Sequence, residues 1–233
     1  MTHKKRPLST IYHLRNTPLE ETTKQKYLGV ELSSDLDWSH HISSIVTKAN
    51  KTLGLLRRNF TSCPSHIKDV AYKTLVRPQL EYCSAIWDPH EKGDTAFLEK
   101  VQRRAARFVM GDYKRESSVT SMIRNIGWQS LQERRAVARL TLMYKIVHGY
   151  VEVLNTPLQS SSCQTRHASQ LTYRNLQTNK NCYRHSFFPR TIPEWNSLPF
   201  SIRSSSSVET FKTGLSNLNI QSIITKSHYY NFD

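Results

Sequence analysis

The sequence predicts a mainly α-helical fold, in which a helical bundle is preceded by a short β-hairpin and followed by an irregular C-terminal region. Apolar residues recur at three- and four-residue intervals between residues 38 and 147, which is the spacing of helices that pack on a core. Strand-like runs occur only before residue 33. From residue 155 the run NTPLQSSSCQT is rich in turn-forming residues and indicates a linker.

The composition indicates an anionic partner. The chain has 233 residues, and its 33 lysines and arginines exceed its 18 aspartates and glutamates, which gives a formal net charge of +15. Such an excess is typical of proteins that meet phosphates, on nucleic acid or on an anionic membrane. No apolar run approaches the roughly 20 residues that span a bilayer. Composition alone leaves both of these partners open. Of the two we expect nucleic acid, whether RNA, DNA or an RNA–DNA hybrid, and no membrane; the oligomeric state stays open.

Cysteine usage predicts where the protein acts. Four cysteines lie far apart without a CxxC motif, and there is no signal peptide. We therefore expect reduced thiols in an intracellular protein that is not secreted. Lys4, Lys5 and Arg6 form a short basic cluster, which suits either a nuclear signal or an ordinary solvated chain end.

The N-terminal part is predicted to hold two strands. Residues 8–14 have strand character, residues 15–18 are typical of a turn, and residues 26–32 form the second strand. Gly29 lies inside this second strand and indicates a bulge or a close approach of another backbone.

The first helices follow directly. Residues 38–60 keep helical spacing, and Arg57 and Arg58 end that helix at its negative pole. The next helix is predicted to pack through four residues and to end or kink at Pro78. Its apolar stripe consists of Ile67, Val70, Ala71 and Leu75.

Residues 94–110 form the helix around which we expect the bundle to be organised. Asp94 is placed to cap its start, and Gly111 follows its end where a left-handed cap belongs. Its predicted core stripe is Phe97, Leu98, Val101, Ala105, Phe108 and Val109. The opposite face carries four cations, Lys100, Arg103, Arg104 and Arg107. This face is either an ordinary solvated surface or a surface that meets an anionic partner, because like charges repel one another at this spacing.

Ser130 and Glu133 predict a capping box for a long helix that runs to about Val147. Its apolar residues run nearly all round, so we expect it to be buried in the bundle. Its basic edge is predicted to consist of Arg134, Arg135 and Arg139. A last amphipathic helix is expected around residues 208–215.

Four residue types that bind zinc occur after the linker. They are Cys163, His167, Cys182 and His185. Their spacing matches no zinc finger, so buried thiols and surface histidines are the favoured interpretation. We expect no metal and no cofactor. Nucleophile elbow, P-loop and HExxH motifs are absent from the sequence.

Five segments, in order, carry a resemblance to a known family. They are KYLGVELSSDLDWSHHISSIVTKANKTLGLLRRNF, YKTLVRPQLEYCSAIWDP, LEKVQRRAARFV, IGWQSLQERRAVARLTLMYKIVHG and SFFPRTIPEWNSLP. Together they resemble the 3′ part of reverse transcriptases of non-LTR retrotransposons, of the jockey-like or another LINE-like type.

The resemblance implies a division of the chain. Residues 1–34 would be a β-hairpin remnant of the polymerase palm, residues 35–150 a helical thumb-like bundle, residues 151–163 a linker, and residues 164–233 a small C-terminal region. The family's primer grip matches Tyr27, Leu28, Gly29 and Val30.

The resemblance also implies what this chain should not do. The family's polymerase site needs two adjacent aspartates and one earlier aspartate to hold two metal ions. The chain has no Asp-Asp pair, and the fingers, most of the palm and the endonuclease have no counterpart in it. We therefore expect that this chain alone is not an enzyme.

Two functional hypotheses remain. The first is a non-catalytic fragment that binds the backbone of a primer–template or of the element's RNA. The residues expected to bind are Lys100, Arg103, Arg104, Arg107, Arg57 and Arg58. The second is a helical structural or interaction module, or a retrotransposon relic without function.

Overall fold

The computed structural model describes residues 11–160 and 171–229. The predicted fold class is confirmed, since the described residues are mainly helical and strands lie only near the N-terminus. Lys4, Lys5 and Arg6 lie outside the described residues.

Two small antiparallel hairpins stand where one was predicted. Strand β1 (His13–Leu14) pairs with β2 (Thr17–Pro18), and β3 (Lys24–Tyr27) pairs with β4 (Val30–Ser33). The expectation of one continuous strand over residues 26–32 is wrong, because the chain reverses at Leu28 and Gly29. Their φ angles of 45° and 86° match a two-residue turn that needs positive φ at both positions.

The helical part before residue 111 forms the first core. Its helices are α1 (Ser39–Asn59), α2 (Ser65–Ala71), α3 (Arg77–Glu81), α4 (Ser84–Trp87) and α5 (Lys92–Met110), with a π-helical turn (Tyr72–Val76) between α2 and α3. Buried side chains from all of these segments form one apolar cluster. Among its members are Ile42, Val46, Ala49, Leu53, Leu56, Tyr72, Val76, Leu80, Trp87, Leu98, Val101, Ala105 and Phe108.

The predicted stripe on the second helix is wrong except at Ala71. Ile67, Val70 and Leu75 are exposed, and the inward face carries Ala71 and Tyr72 instead. The Tyr72 ring stacks on Trp128 with 4.4 Å between ring centroids, so a large aromatic side chain selects the buried face. In the π turn the backbone N–H of Arg77 donates to the carbonyl of Tyr72, which lets the chain continue into Pro78 without an α-helical break.

The long helix α7 (Leu131–Val147) connects the first core to a second one. The predicted capping box is confirmed, because the Ser130 Oγ accepts from the Glu133 N–H while the Glu133 carboxylate accepts from the Ser130 N–H. Leu131 belongs to the first core, whereas Leu140 and Tyr144 belong to the second. The predicted boundary between residues 150 and 164 stays a prediction, but one helix supplies both cores.

The C-terminal region is more helical than the sequence indicated. After α6 (Val119–Ile126) and α7, it contains α8 (Asn181–Arg184), α9 (Phe187–Asn196), α10 (Phe200–Arg203), α11 (Val208–Ser216) and α12 (Ile220–Tyr229). The expected helix around residues 208–215 is confirmed as α11, with Phe211 and Leu215 buried. Within residues 11–160 and 171–229, no helix combines the length and the apolar character that crossing a membrane requires.

Candidate nucleic-acid interface

Helices α1 and α5 lie side by side and run in the same direction. At their starts the Ser39 hydroxyl donates to the Asp94 carboxylate over 3.2 Å. Near their middles Arg104 Nη1 donates to Asn50 Oδ1 over 2.9 Å. Because both pairs join corresponding positions along the two helices, the C-terminal ends of α1 and α5 meet at one end of the bundle.

A third contact marks that end. The guanidinium carbon of Arg57 lies 5.0 Å from the centroid of the Tyr113 ring, just beyond the end of α5. Helix α5 ends as predicted at Gly111, whose φ of 67° is left-handed. Its start is not as predicted, because Glu91 occupies the N-cap position and Asp94 lies within the first turn.

The parallel arrangement brings basic residues together. Arg57 and Arg58 occupy the last turn of α1, and Arg107 occupies the last turn of α5. A cation in the last turn of a helix interacts favourably with the partial negative charge there. This interaction explains why cations lie at the ends of the two helices. It does not explain Lys100, Arg103 and Arg104, which lie earlier in α5.

The four cations predicted on one face of α5 divide into two kinds. Lys100, Arg103 and Arg104 are exposed, whereas Arg107 is half-buried. Arg107 donates to the carbonyl of Lys114 over 2.8 Å and to the carbonyls of Asp112 and Ser117 over 3.4 Å. Arg107 therefore holds the loop after α5, and the other three present their charge to solvent.

The apolar stripe predicted on α5 is confirmed except at Phe97. Phe97 is 37% exposed, while the remaining five members of the stripe are buried.

The loop after α5 contributes basic residues that the sequence did not single out. Lys114 and Arg115 are exposed beside Tyr113. Asp112 and Glu116 supply the opposing charge in this loop. Hydrogen bonds from Ser117 and from the Lys114 backbone lower the pKa of the Asp112 carboxyl. We call the following set the basic surface: Arg57, Arg58, Lys100, Arg103, Arg104, Arg107, Lys114 and Arg115.

The predicted basic edge of α7 is wrong for two of its three residues. Arg135 and Arg139 are 0% and 1% exposed, and both contact the carboxylate of Asp88. Arg139 also donates to both oxygens of Glu194, and Arg190 lies 3.3 Å from Asp88. These arginines therefore belong to a buried ionic network and cannot reach a ligand at the surface.

Burial lowers the pKa of the arginines of this network. It lowers the pKa of the Arg135 guanidinium to about 10, although the nearby Glu99 carboxylate opposes the shift. It also lowers the pKa of Arg139 to about 10, with Arg190 acting in the same direction. Both groups stay charged at neutral pH. The third predicted residue, Arg134, is half-buried and pairs with Glu81.

The residues matched to a primer grip form the tip of the second hairpin. Tyr27 and Leu28 are exposed, Gly29 makes the turn, and Val30 is buried. The Tyr82 hydroxyl donates to the Leu28 carbonyl over 3.1 Å. A Cβ atom on Gly29 would lie 3.2 Å from the Tyr82 ring, so a side chain, and not the predicted backbone, closely approaches Gly29.

Two of the four potential zinc ligands, Cys182 and His185, lie within the described residues. Cys163 and His167 lie outside them. Cys182 is half-buried, and the ring of His185 stacks on His90 with 3.8 Å between centroids. Among residues 11–160 and 171–229, no group of three or more histidines, cysteines or acidic residues could hold a metal ion.

In comparisons with protein-family models, with curated proteins and with solved structures, none matches this chain. A proposal of function therefore depends on the geometry of the basic surface and on the resemblance of five sequence segments to non-LTR retrotransposon reverse transcriptases.

Proposed function

We propose that this chain binds the phosphate backbone of nucleic acid through the basic surface, as a non-catalytic fragment of a non-LTR retrotransposon reverse transcriptase. The observation that carries the proposal is the parallel alignment of α1 and α5. It brings the cations at the ends of both helices and in the loop after α5 to one end of the bundle, and further cations follow along α5. Like charges gathered in this way repel one another unless an anion meets them.

The chemistry of the side chains fits phosphate. A guanidinium group has five N–H donors, so Arg104 keeps donors for a phosphate beyond the one that it gives to Asn50. Arginines also bind phosphate oxygens in pairs of hydrogen bonds, which lysines cannot do. Such contacts position a nucleic acid without reading its sequence.

The resemblance to retrotransposon reverse transcriptases supports the same proposal independently of the geometry. Residues 35–149 resemble the thumb of the retrotransposon enzymes, the part expected to grip primer–template. The hairpin tip at Leu28 and Gly29 resembles their primer grip, and it lies on Tyr82 of the helical part. RNA, DNA and an RNA–DNA hybrid all carry the backbone that this surface would bind.

The alternative is a helical module that binds another protein. One observation favours it, namely the exposed apolar side chains on the outer face of α2 and the π turn. Val70 is 55% exposed and Leu75 is 50% exposed, and Ile67 lies on the same helical segment. An exposed apolar patch rimmed by polar residues is typical of a protein interface.

A salt titration tests the proposal. We would measure binding to a labelled duplex, to a single strand and to an RNA–DNA hybrid at several salt concentrations. Each cation that meets a phosphate steepens the log–log slope by about 0.7 to 0.9. Replacing Arg58, Arg104, Lys114 and Arg115 by glutamine should therefore flatten the slope by roughly 3 and weaken binding to every sequence alike.

A matched variant controls for net charge. Lys26, Arg174, Lys180 and Lys212 are exposed and lie outside the basic surface, and replacing them by glutamine removes the same charge. This control should keep nearly the parental slope. Equal slopes for both variants would overturn the proposal and leave the protein-binding module as the better hypothesis.

A further inference from the structure

Tyr113 lies in the loop after α5 that contributes to the basic surface, and it is exposed. Its neighbours are Lys114 and Arg115 in the same loop and Arg57, whose guanidinium group covers part of the ring at 5.0 Å. The side chain is nevertheless 52% exposed. An aromatic ring that is held among cations yet stays half exposed has the combination of features that stacks nucleic-acid bases.

The loop around Tyr113 is held on both sides. Arg107 donates to the carbonyls of Asp112 and Lys114, which flank Tyr113, and to the carbonyl of Ser117. The Asp112 carboxylate in turn accepts from the Lys114 N–H over 3.0 Å. The loop backbone that carries the ring is therefore held before a ligand arrives, so binding need not order the loop.

We propose that Tyr113 stacks on an unpaired base, so that the partner of the basic surface is single-stranded nucleic acid or the unpaired end of a duplex. The inference rests on the proposed function, because the surrounding cations must first hold the backbone. Within a duplex the faces of the bases are already covered by their neighbours, whereas an unpaired base offers a free face to an aromatic ring or to a guanidinium plane. Arg57 and Tyr113 together present both kinds of surface.

Two probes with the same phosphates separate stacking from backbone binding. The first is a labelled oligothymidylate of about twelve nucleotides, and the second is an oligomer of equal length whose nucleotides are all abasic. We expect the wild-type chain to bind the thymidylate more tightly by roughly 5- to 100-fold. Tyr113→Leu should lose this preference but keep the affinity and the salt slope measured with the abasic probe.

Control variants decide between a stacking ring and a structural one. Tyr113→Phe keeps the aromatic face and should keep the preference for bases. Tyr150→Leu removes another exposed tyrosine outside the basic surface and should leave both affinities unchanged.

Three results would overturn the inference. Equal binding of both probes by the wild-type chain, with salt dependence retained, would remove the stacking role and leave the proposed function standing. If Tyr113→Leu no longer binds either probe, the ring only maintains the structure of the loop. The absence of salt-dependent binding to either probe would overturn the proposed function as well.

Discussion

Arg139 of α7 donates from Nη2 to both carboxylate oxygens of Glu194 in α9, over 2.7 and 2.8 Å. Both residues are 1% exposed. The pair joins the C-terminal helices to α7, and Arg139 also contacts Asp88 in the loop before α5. One guanidinium group therefore connects three segments of the chain that are distant in sequence.

Breaking this pair from one side should destabilise the fold. Glu194→Gln leaves Arg139 buried with less compensating charge, which typically costs about 3–5 kcal/mol of unfolding free energy. Urea unfolding at neutral pH measures the loss. Glu209→Gln is the control, because Glu209 is an exposed acid in the first turn of α11. An equal loss of unfolding free energy in the two variants would mean that the buried pair stabilises the fold no more than an exposed acid does.

Arg107 and Arg103 should behave differently although both belong to the face predicted from sequence. Arg107→Gln removes charged hydrogen bonds to the loop after α5 and should lower stability by about 1–3 kcal/mol. Arg103→Gln changes an exposed side chain and should stay within roughly 0.5 kcal/mol of the wild type. Thermal unfolding of the two variants compares them directly. The distinction fails if Arg103→Gln is the more damaging change.

Local signals explain what the sequence predicted well. The capping box at Ser130 and Glu133 and the left-handed end of α5 at Gly111 depend on residues within one turn, so spacing and residue type are sufficient. The basic residues Arg57, Arg58, Lys100, Arg103 and Arg104 are exposed as expected for the same reason, since helical periodicity assigns them away from the apolar face.

Tertiary contacts explain what the sequence missed. Arg135 and Arg139 look like surface cations because the acids that accompany them, Asp88 and Glu194, lie 47 and 55 residues away in the chain. The same reason applies to Arg57 and Tyr113, which only the parallel packing of α1 and α5 brings together. No spacing rule along one helix contains this information.

The chain should not extend a primer. We expect no nucleotide incorporation in the presence of Mg²⁺ or Mn²⁺, because the sequence lacks the adjacent aspartates that would hold two metal ions. A primer-extension assay with a primed RNA template measures this. Metal-dependent incorporation that persists through repurification would contradict the proposal of a non-catalytic fragment.

Stability should fall in mild acid through His41. Its Nδ1 accepts from the backbone N–H of Glu31 over 3.3 Å, which only an unprotonated Nδ1 can do. Burial lowers the pKa of His41 below the ordinary value of 6.5, although Glu31 opposes the shift. The unfolded chain therefore takes up the proton first, so stability is complete above about pH 6.5 and decreases as the pH falls through the folded pKa.

Urea unfolding at about pH 7.5 and about pH 5 tests this dependence. Asparagine can present an acceptor oxygen near the position of Nδ1 without titrating, so His41→Asn should show a smaller loss between the two pH values than the wild type. His66→Asn, at an exposed position of α2, should keep the wild-type dependence. His90 adds to that dependence in every variant, because burial also lowers its pKa.

A single added charge should report whether Arg104 meets phosphate. Asn50→Asp places a carboxylate where Arg104 Nη1 now finds an amide oxygen at 2.9 Å, so the fold is kept and the cation is neutralised locally. The salt dependence of nucleic-acid binding should then flatten by about one on the log–log scale. Asn181→Asp makes the same change of net charge at an exposed site on α8 and should leave the slope unaltered. If Asn50→Asp keeps the wild-type slope, Arg104 serves only to fasten α5 to α1, and the phosphate contacts must come from other residues of the basic surface.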